Sequence, residues 1–431
     1  MTGTSRSSER SIAPPPEVER SQAEEGPLPG VSTCAERCCE AEGMGRYGRV
    51  RADQAPAASV LAKADDAIVN GDVRVSLDDP PRPAVVAVDP PSGRPADRVR
   101  RGPYHEDRMP FQLIPTSPSM AEEGFDLFVR RYDQAARAQP LIPPLAGGQP
   151  ARLRARVERA FSVGGVAAVR DGRMVGYMIA SPIFEMRGLG ATLIPEHGHA
   201  VTPGEEVALY APLYARAIEE RVREGAQLHL IGRFAGDDAT RRALEDLGFG
   251  AVVDERLRDL TDVPGGTVDA PDLRIESLPP DVRWDEVAEI AAEHAAYYQG
   301  SPIFLAKDLG LDAARDDLDG HRRAGDRLFV ARGGGAIVAY LIVGACAGQT
   351  EGRLLAGTRT AQLRSAYARP ASRRRGIGSA LLQRAVAWAR DAGYQRLFVE
   401  HETANLEGRA FWRRHFAPFL RFSMRYVQRT L

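Results

Sequence analysis

The sequence predicts an α/β (α+β, mixed-sheet) protein made of two tandem units, each with helices on both faces of its sheet. Three observations carry this. One order of elements occurs twice at a nearly constant offset; in both occurrences a helix ends at glycine and leads into an apolar strand; and a Pro/Gly/Asp-rich joint, "TDVPGGTVDAPD", separates the two. A chain of 431 residues is also longer than one hydrophobic core usually supports.

Residues 1–108 carry proline clusters at "APPPEVE", "DDPPRPA" and "DPPSGRP" and little sustained periodicity, so they are expected to be disordered alone, or to lie upstream of the natural start. "PAVVAVD" could form a strand there but has no evident partner. Cys34, Cys38 and Cys39 in "CAERCCE" lack a nearby His or Cys pair to complete a metal site, and no metal is expected.

The first unit, 109–265, opens with a strand in "MPFQLIPTS". "AAVRDGRMVGYMIASPI" then reads as a hairpin around Asp171-Gly172. The helix "APLYARAIEERVREG" stops at Gly225 and leads into the strand "AQLHLIGRF"; a short helix, "DDATRRALEDLGF", and a last strand close the unit. The second unit, 271–431, repeats the order. "LRIESL" opens it, and "WDEVAEIAAEHAAYY" is an amphipathic helix with Val287, Ile290, Ala291 and His294 near one stripe. "FVARGGGAIVAYLIVGA" is its hairpin, with Cys346 a small core residue. "SALLQRAVAWARDAG" ends at Gly393, "YQRLFVEHE" follows as a strand, and "NLEGRAFWRRHF" is the last helix.

The chemistry concentrates in "RPASRRRGIGSALLQRAVAWAR". Ile377, Leu381, Ala385 and Ala389 recur every fourth residue and mark the buried face of a helix whose first turn holds Gly376 and Gly378. Amide hydrogens there lack intrahelical acceptors, the helix dipole favours an anion, and the missing Cβ atoms allow close approach. Arg373, Arg374 and Arg375 add charge-assisted donors, making a cradle suited to a diphosphate. From Arg364 to Leu431 there are fourteen arginines, no lysine and four acids, a net +10 within a chain of net −1. That end is built to meet negative charge.

The pattern Arg373-x-x-Gly376-x-Gly378, preceded by the strand "AQLRSAYARP" and followed by helix, strand and an Asn-led helix, resembles the acetyl-CoA site of the GCN5-related N-acetyltransferases (GNAT family). The order of elements from Leu273 to Val427 fits that family. The resemblance implies acetyl-CoA as co-substrate, with the diphosphate on Arg373, Arg374, Arg375, Gly376, Ile377, Gly378 and Ser379. It implies a splayed strand at Ala366, Tyr367 and Ala368 pairing with pantetheine, and Asn405 bonding the same arm. Glu400 stands where some members carry a general base. Where the family often has a tyrosine that protonates the departing thiolate, this chain has Trp412, whose indole donates a hydrogen bond but is no general acid near neutrality. Trp412 therefore reads either as a donor in the site or as a core aromatic, and Tyr367 and Tyr426 are the nearest alternative acids. Glu293, Tyr297 and Tyr298 are the candidates for contact with an amine acceptor, a small molecule or peptide.

The first unit has Glu205 to Tyr210, "EEVALY", at the place of Arg373 to Gly378, and Asp238 at the place of Asn405. Like charge and bulk oppose a diphosphate there, so this copy is expected to be degenerate, completing the sheet or walling the acceptor pocket. Tandem arrangements with one degenerate half occur in the family. The expected activity is N-acyl transfer from acetyl-CoA to an amine in a cytoplasmic protein without membrane segments, and a homodimer is allowed. The rivals are nucleic-acid binding by the basic end, for which no recognised motif is present, and a catalytically silent CoA-binding module.

Overall fold

The computed structural model describes residues 110–146, 149–261, 273–307, 310–348 and 352–428. The N-terminal cysteines, "PAVVAVD" and the joint from 262 to 272 lie outside the described residues.

In the N-terminal half, β1 (Gln112–Pro115) precedes α1 (Ala121–Ala138) and α2 (Gln149–Val163). β2 (Val166–Arg170) and β3 (Arg173–Met178) form the expected hairpin, with Asp171 and Gly172 both at positive φ (51° and 73°). Such angles at both central residues twist the turn to match its strands, and glycine takes the second without strain. β4 (Phe184–Met186), β5 (Leu189–Ile194) and β6 (His199–Val201) follow, then α3 (Glu206–Glu224), β7 (Leu228–Phe234), α4 (Asp238–Asp246) and β8 (Gly250–Asp259). α3 ends where Gly225 turns left-handed, at φ 113°.

The C-terminal half runs β9 (Arg274–Leu278), α5 (Ala288–Gln299), α6 (Leu311–Arg323), β10 (Arg327–Gly333), β11 (Ala336–Ala345), β12 (Thr360–Ala368), α7 (Ile377–Asp391), β13 (Arg396–Glu402), α8 (Leu406–His415) and β14 (Ala417–Tyr426). Val287 and Ile290, on the expected stripe, are buried with the strand residues Leu328, Val330 and Ile342. α7 buries Ile377, Leu381, Ala385 and Ala389 on the other face, with Leu341, Leu363 and Val399. Helices thus cover both faces, as the apolar spacing requires.

The sheet does not divide at the joint between the expected units. Among the described residues one sheet of four strands runs β1-β2-β3-β6, and one of ten runs β4-β5-β7-β14-β8-β13-β12-β11-β10-β9. The two closing strands are exchanged: β14 lies antiparallel between β7 and β8, and β8 lies antiparallel between β14 and β13. The expected boundary at 265 to 271 is therefore a boundary in sequence and not in hydrogen bonding. A single core cluster accordingly holds Phe128, Leu153 and Phe161 of the first half with Leu354, Phe398 and Phe422 of the second.

The exchange is pinned by a buried ion cluster. Asp254 on β8 stands opposite Arg421 on β14, whose Nη2 donates to Oδ2 at 2.9 Å. Arg256 and Arg413 approach the same oxygen at 3.8 and 3.7 Å. Arg256 also donates to the Phe416 carbonyl at 3.1 and 2.7 Å, tying β8 to the start of β14. Burial alone would raise the Asp254 carboxyl; the hydrogen bond and charge of Arg421 outweigh it and hold it below the usual carboxylate range.

Asp254→Ala leaves those guanidinium groups without their carboxylate, and should cost about 3 kcal/mol, the range for removing one partner of a buried pair; urea denaturation measures it. A second expectation concerns His229 on β7, whose Nδ1 meets the Tyr214 hydroxyl at 2.6 Å and whose pKa burial lowers to about 4. The unfolded chain takes up this proton near 6.5, so the stability the neutral ring contributes is present above that pH and lost as pH falls toward 4. The urea midpoint should drop over that window, and His229→Gln should reduce proton uptake on unfolding at about pH 5 by about one.

Candidate functional site

The site begins where two parallel strands part. β12 and β13 pair from Thr360–Arg396 to Leu363–Val399. Beyond that point Arg364 is an extra residue in β12, set between the pairs Leu363–Val343 and Ser365–Ile342, and β12 stays with β11 as far as Ala368. β13 instead continues along β8 to the pair Glu402–Val253. A bulge bends a strand and locally ends its pairing. The backbone of Ala366, Tyr367 and Ala368 therefore borders an opening whose other bank carries Glu400.

Next to the opening lies the loop expected to hold an anion. Arg374 at φ 60° and Gly376 at φ 80° are both left-handed, and the Ala380 amide donates to the Gly376 carbonyl (3.0 Å) as α7 begins. The amides of Ile377, Gly378 and Ser379 thus precede the ladder. Arg374 and Arg375 are exposed, and among the described residues neither pairs with a carboxylate. The Ile377 side chain is in the core, so only its backbone serves the loop. A Cβ on Gly378 would stand 3.3 Å from the Phe411 ring, so this glycine also lets α7 and α8 approach.

Arg373 departs from the expectation. Its Nε donates to the Ala368 carbonyl at 2.9 Å, it pairs with Glu407, and its guanidinium lies 4.8 and 5.4 Å from the centres of the Tyr297 and Tyr367 rings. The left-handed turn at Arg374 separates an inward arginine from two outward ones. Arg373 is a brace among β12, α5 and α8, not a third anion ligand.

Asn405 caps α8: its Oδ1 accepts from the Gly408 amide at 2.9 Å and from the Tyr297 hydroxyl at 2.9 Å. Trp412 is corrected to a core position. It is 8% exposed and packed edge-on against Phe411 and Phe416, because the spacing of α8 turns it onto the buried face. Tyr426 is also remote, on β14 opposite Leu228. Two phenols do flank the opening, Tyr297 and Tyr367, and burial raises both above the usual tyrosine range, so they are protonated at neutral pH.

Sequence reasoning passes over His294 as part of a buried stripe. Its ring stacks on Tyr367 (centroids 5.0 Å apart, planes at 26°), and Nδ1 meets the Tyr340 hydroxyl at 2.8 Å, itself 3.0 Å from the Ser365 hydroxyl. Burial first, then the Lys307 and Arg373 charges, lower its pKa to about 3, so the ring is neutral and orients Tyr367. Glu293 is not in the opening. It is exposed and ion-paired with Arg369 at 2.8 Å, fastening α5 to the end of β12. Tyr298 feels the charges of Glu402 and Glu400, and the Lys307 ammonium sits 4.3 Å from its ring centre. Burial raises the Glu402 carboxyl, with Arg187 and Lys307 opposing from beyond ion-pair distance.

The N-terminal half has a matching parting of strands, and its own side chains span it. β5 pairs in parallel with β7 up to Ile194–Ile231, after which the chain leaves to pair β6 with β3. His199 reaches across, Nε2 to the Gly232 carbonyl at 2.6 Å, with Nδ1 at 2.7 Å from the Tyr210 hydroxyl. A carbonyl only accepts, so Nε2 carries the proton and Nδ1 accepts from the tyrosine. Arg131 donates to the His199 carbonyl at 2.9 Å and to Asp237 at 3.3 Å. Asp237, whose side chain accepts from the Thr240 amide at 2.9 Å, is the residue that caps α4 as Asn405 caps α8; Asp238, expected in that place, is one position further and bonds Arg241. Glu205 and Glu206, expected at the place of the arginines, stand instead at the N-cap and first position of α3, where α7 has Gly376 and Ile377; Arg170 takes up Glu205 (3.1 and 2.6 Å) and the Gly204 amide takes up Glu206 (2.9 Å).

Among the described residues no group of three His, Cys, Asp or Glu is placed to hold a metal, and no helix is long and apolar enough to cross a membrane. The acetyltransferase (GNAT) family model matches residues 288–416, from the start of α5 to just past α8. Among solved structures, a GCN5-related N-acetyltransferase from Sphaerobacter thermophilus is 16% identical over 73% of this chain and 96% of its own, with a TM-score of 0.47. A tandem GNAT protein from the clavulanic acid biosynthesis pathway is 13% identical over 73% and 98%, with a TM-score of 0.40. A GNAT-family acetyltransferase from Colwellia psychrerythraea is 11% identical over 74% and 100%, also at 0.40. No curated protein matches the sequence. Over residues 288–416, the chain carries a domain of the acetyltransferase (GNAT) family.

Proposed function

We propose that the protein is an acetyl-CoA-dependent N-acyltransferase that acylates the amine of a small molecule, with acetyl-CoA held by the C-terminal half alone. The observation that carries this reading is the parting of β12 from β13 beside a left-handed Gly376 loop with two uncommitted arginines. Arg374, Arg375 and the amides of α7's first turn suit a diphosphate, and the edge at Ala366 and Tyr367, past the last pairing with β13, suits an amide-bearing arm. Acetyl-CoA supplies the acetyl thioester. Glu400 takes the proton from the attacking amine, and the Tyr297 hydroxyl, held at Asn405, gives a proton to the sulfur as the C–S bond breaks. A backbone amide of the opened β12 edge is the donor to the carbonyl oxygen as it gains charge.

The N-terminal half reads as a degenerate copy. The His199–Gly232 bond closes the space that an arm would need, and two carboxylates, Glu205 and Glu206, stand at the start of α3 where α7 has Gly376 and Ile377. The basic C-terminal segment supports the enzyme reading better than nucleic-acid binding. Arg369, Arg373, Arg413 and Arg421 are paired with carboxylates of the protein itself.

Acetyl-CoA at about one hundred times its Kd should stabilise the protein by about 2.7 kcal/mol, read as a rise in Tm. Arg374→Glu combined with Arg375→Glu should abolish that rise while leaving the unliganded Tm unchanged. No shift of the wild type at millimolar acetyl-CoA would end the proposal. Glu400→Gln and Tyr297→Phe should each lower kcat about 10²-fold or more and keep the thermal shift; unchanged turnover in either removes that residue from its role.

A further inference from the structure

We propose that the C-terminal half holds a second anion site, on the β11 side of the Gly376 loop: a cavity that takes a small monocarboxylate with a compact apolar body and competes with acetyl-CoA for Arg375. The competition rests on the acetyl-CoA reading above; the cavity does not. Its volume is about 190 Å³, below the roughly 300 Å³ at which pockets for drug-sized ligands begin. A bulge shapes it. Val338 is an extra residue in β11, set between the pairs Ala331–Ala339 and Arg332–Ile337, and it packs beside the cluster under α7 that also holds Ile377 and meets Leu273. These three residues supply the apolar lining. The opening lies between β12 and β13, whereas this cavity lies between the loop and the β10–β11 turn. Two polar side chains belong to it. Ser372 is 8% exposed, and among the described residues its hydroxyl makes no hydrogen bond. Arg375 brings a guanidinium that pairs with no carboxylate among the described residues.

The N-terminal half shows what completes such a place. Its hairpin ends in the pair Arg170–Arg173, where β10 and β11 end in Gly333–Ala336, and its helix α3 has Glu205 at the N-cap, where α7 has Gly376. Arg170 crosses from hairpin to helix and holds both oxygens of Glu205, at 3.1 and 2.6 Å, while its Nε donates to the Pro110 carbonyl just ahead of β1 (3.1 Å). In the C-terminal half both members of that pair are glycines, and the space is bounded instead by Arg375 and by Leu273, just ahead of β9. The cation is present and the carboxylate is missing. A carboxylate from outside completes the pair: its two oxygens match the guanidinium fork, the Ser372 hydroxyl donates to one of them, and the apolar body lies on Leu273, Val338 and Ile377. Arg375 so held is withdrawn from the diphosphate, and each ligand then weakens the other by the same factor.

Phenylacetate, acetate and phenylacetamide separate charge from body. Ligand-observed NMR titration of the full chain should show phenylacetate binding at least about tenfold tighter than acetate, which lacks the body, and than phenylacetamide, which lacks the charge. Ser372→Ala should weaken phenylacetate about fivefold or more, and Val338→Phe, which fills the cavity, should abolish its binding, with the acetyl-CoA thermal shift kept in both. Saturating phenylacetate should raise the acetyl-CoA Kd about fivefold or more in the wild type and leave it unchanged in Val338→Phe. No phenylacetate binding, equal binding of the three probes, or binding that both variants retain overturns the cavity assignment. An acetyl-CoA Kd indifferent to bound phenylacetate overturns the competition. A missing acetyl-CoA shift beside intact phenylacetate binding instead overturns the acyltransfer reading alone.

Discussion

The exchange of β8 and β14 is the constraint on which the remaining structure depends. Each closing strand lies against strands of the other half, so neither half completes its sheet alone. The Asp254–Arg421 pair sits between the exchanged strands and helps to set their register. A one-residue slip would turn every side chain of β14 to the other face, taking Phe422 out of the core and Arg421 into it. The same exchange carries β8 and β14 alongside β13, and so brings apolar side chains of both halves onto the face where Glu400 and Glu402 stand.

Two partings of parallel strands, one in each half, show how one architecture supports opposite outcomes. In the N-terminal half a histidine, a tyrosine and an arginine meet across the gap, and both ring nitrogens of His199 are bonded within the protein. A buried network of that kind fixes its members, and disrupting it leaves polar groups unpaired. In the C-terminal half the aromatic at the gap, Tyr367, is stacked on neutral His294 along one bank, and the bridge to α8 is made at the far end of the edge, where Arg373 holds the Ala368 carbonyl and Glu407. The difference lies in which side chains cross the gap, not in the course of the backbone.

The order of elements is legible in the sequence because it is written in local signals: Asp171-Gly172, Gly225, the fourfold apolar spacing of α7, and the glycines after the arginine run. The strand exchange is not legible, since β8 and β14 have the same alternation whichever neighbour they pair with. Within the site, Gly376, Asn405 and the two exposed arginines follow from spacing. Arg373 does not, because its inward course depends on the φ of the residue after it. Trp412 cannot be placed from the motif alone, because the motif fixes a position on α8 while the packing of Phe411 and Phe416 fixes which face it occupies. His294 carries only the signal of a buried stripe, and its partners Tyr340 and Ser365 come from two different strands.

The charge asymmetry takes on a different meaning once the arginines are placed. An excess of +10 at the end of the chain suggests an external anion. Several of these arginines instead join parts of the protein: Arg421 meets Asp254, Arg396 donates to the Leu141 carbonyl at 2.9 Å across the two halves, and Arg369 and Arg373 fasten α5 and α8 to β12. Two of the acids that balance them, Asp254 and Glu293, lie earlier in the chain, so the asymmetry along the sequence is largely the imprint of the contacts that join distant segments. Against that background Arg374 and Arg375 stand apart as two adjacent cations beside a helix N-terminus with no carboxylate of their own among the described residues. Arg384 and Arg414 are also exposed without a carboxylate among the described residues, but they lie within α7 and α8, whereas Arg374 and Arg375 lie beside amides that precede the hydrogen-bond ladder, where their charge adds to the helix dipole.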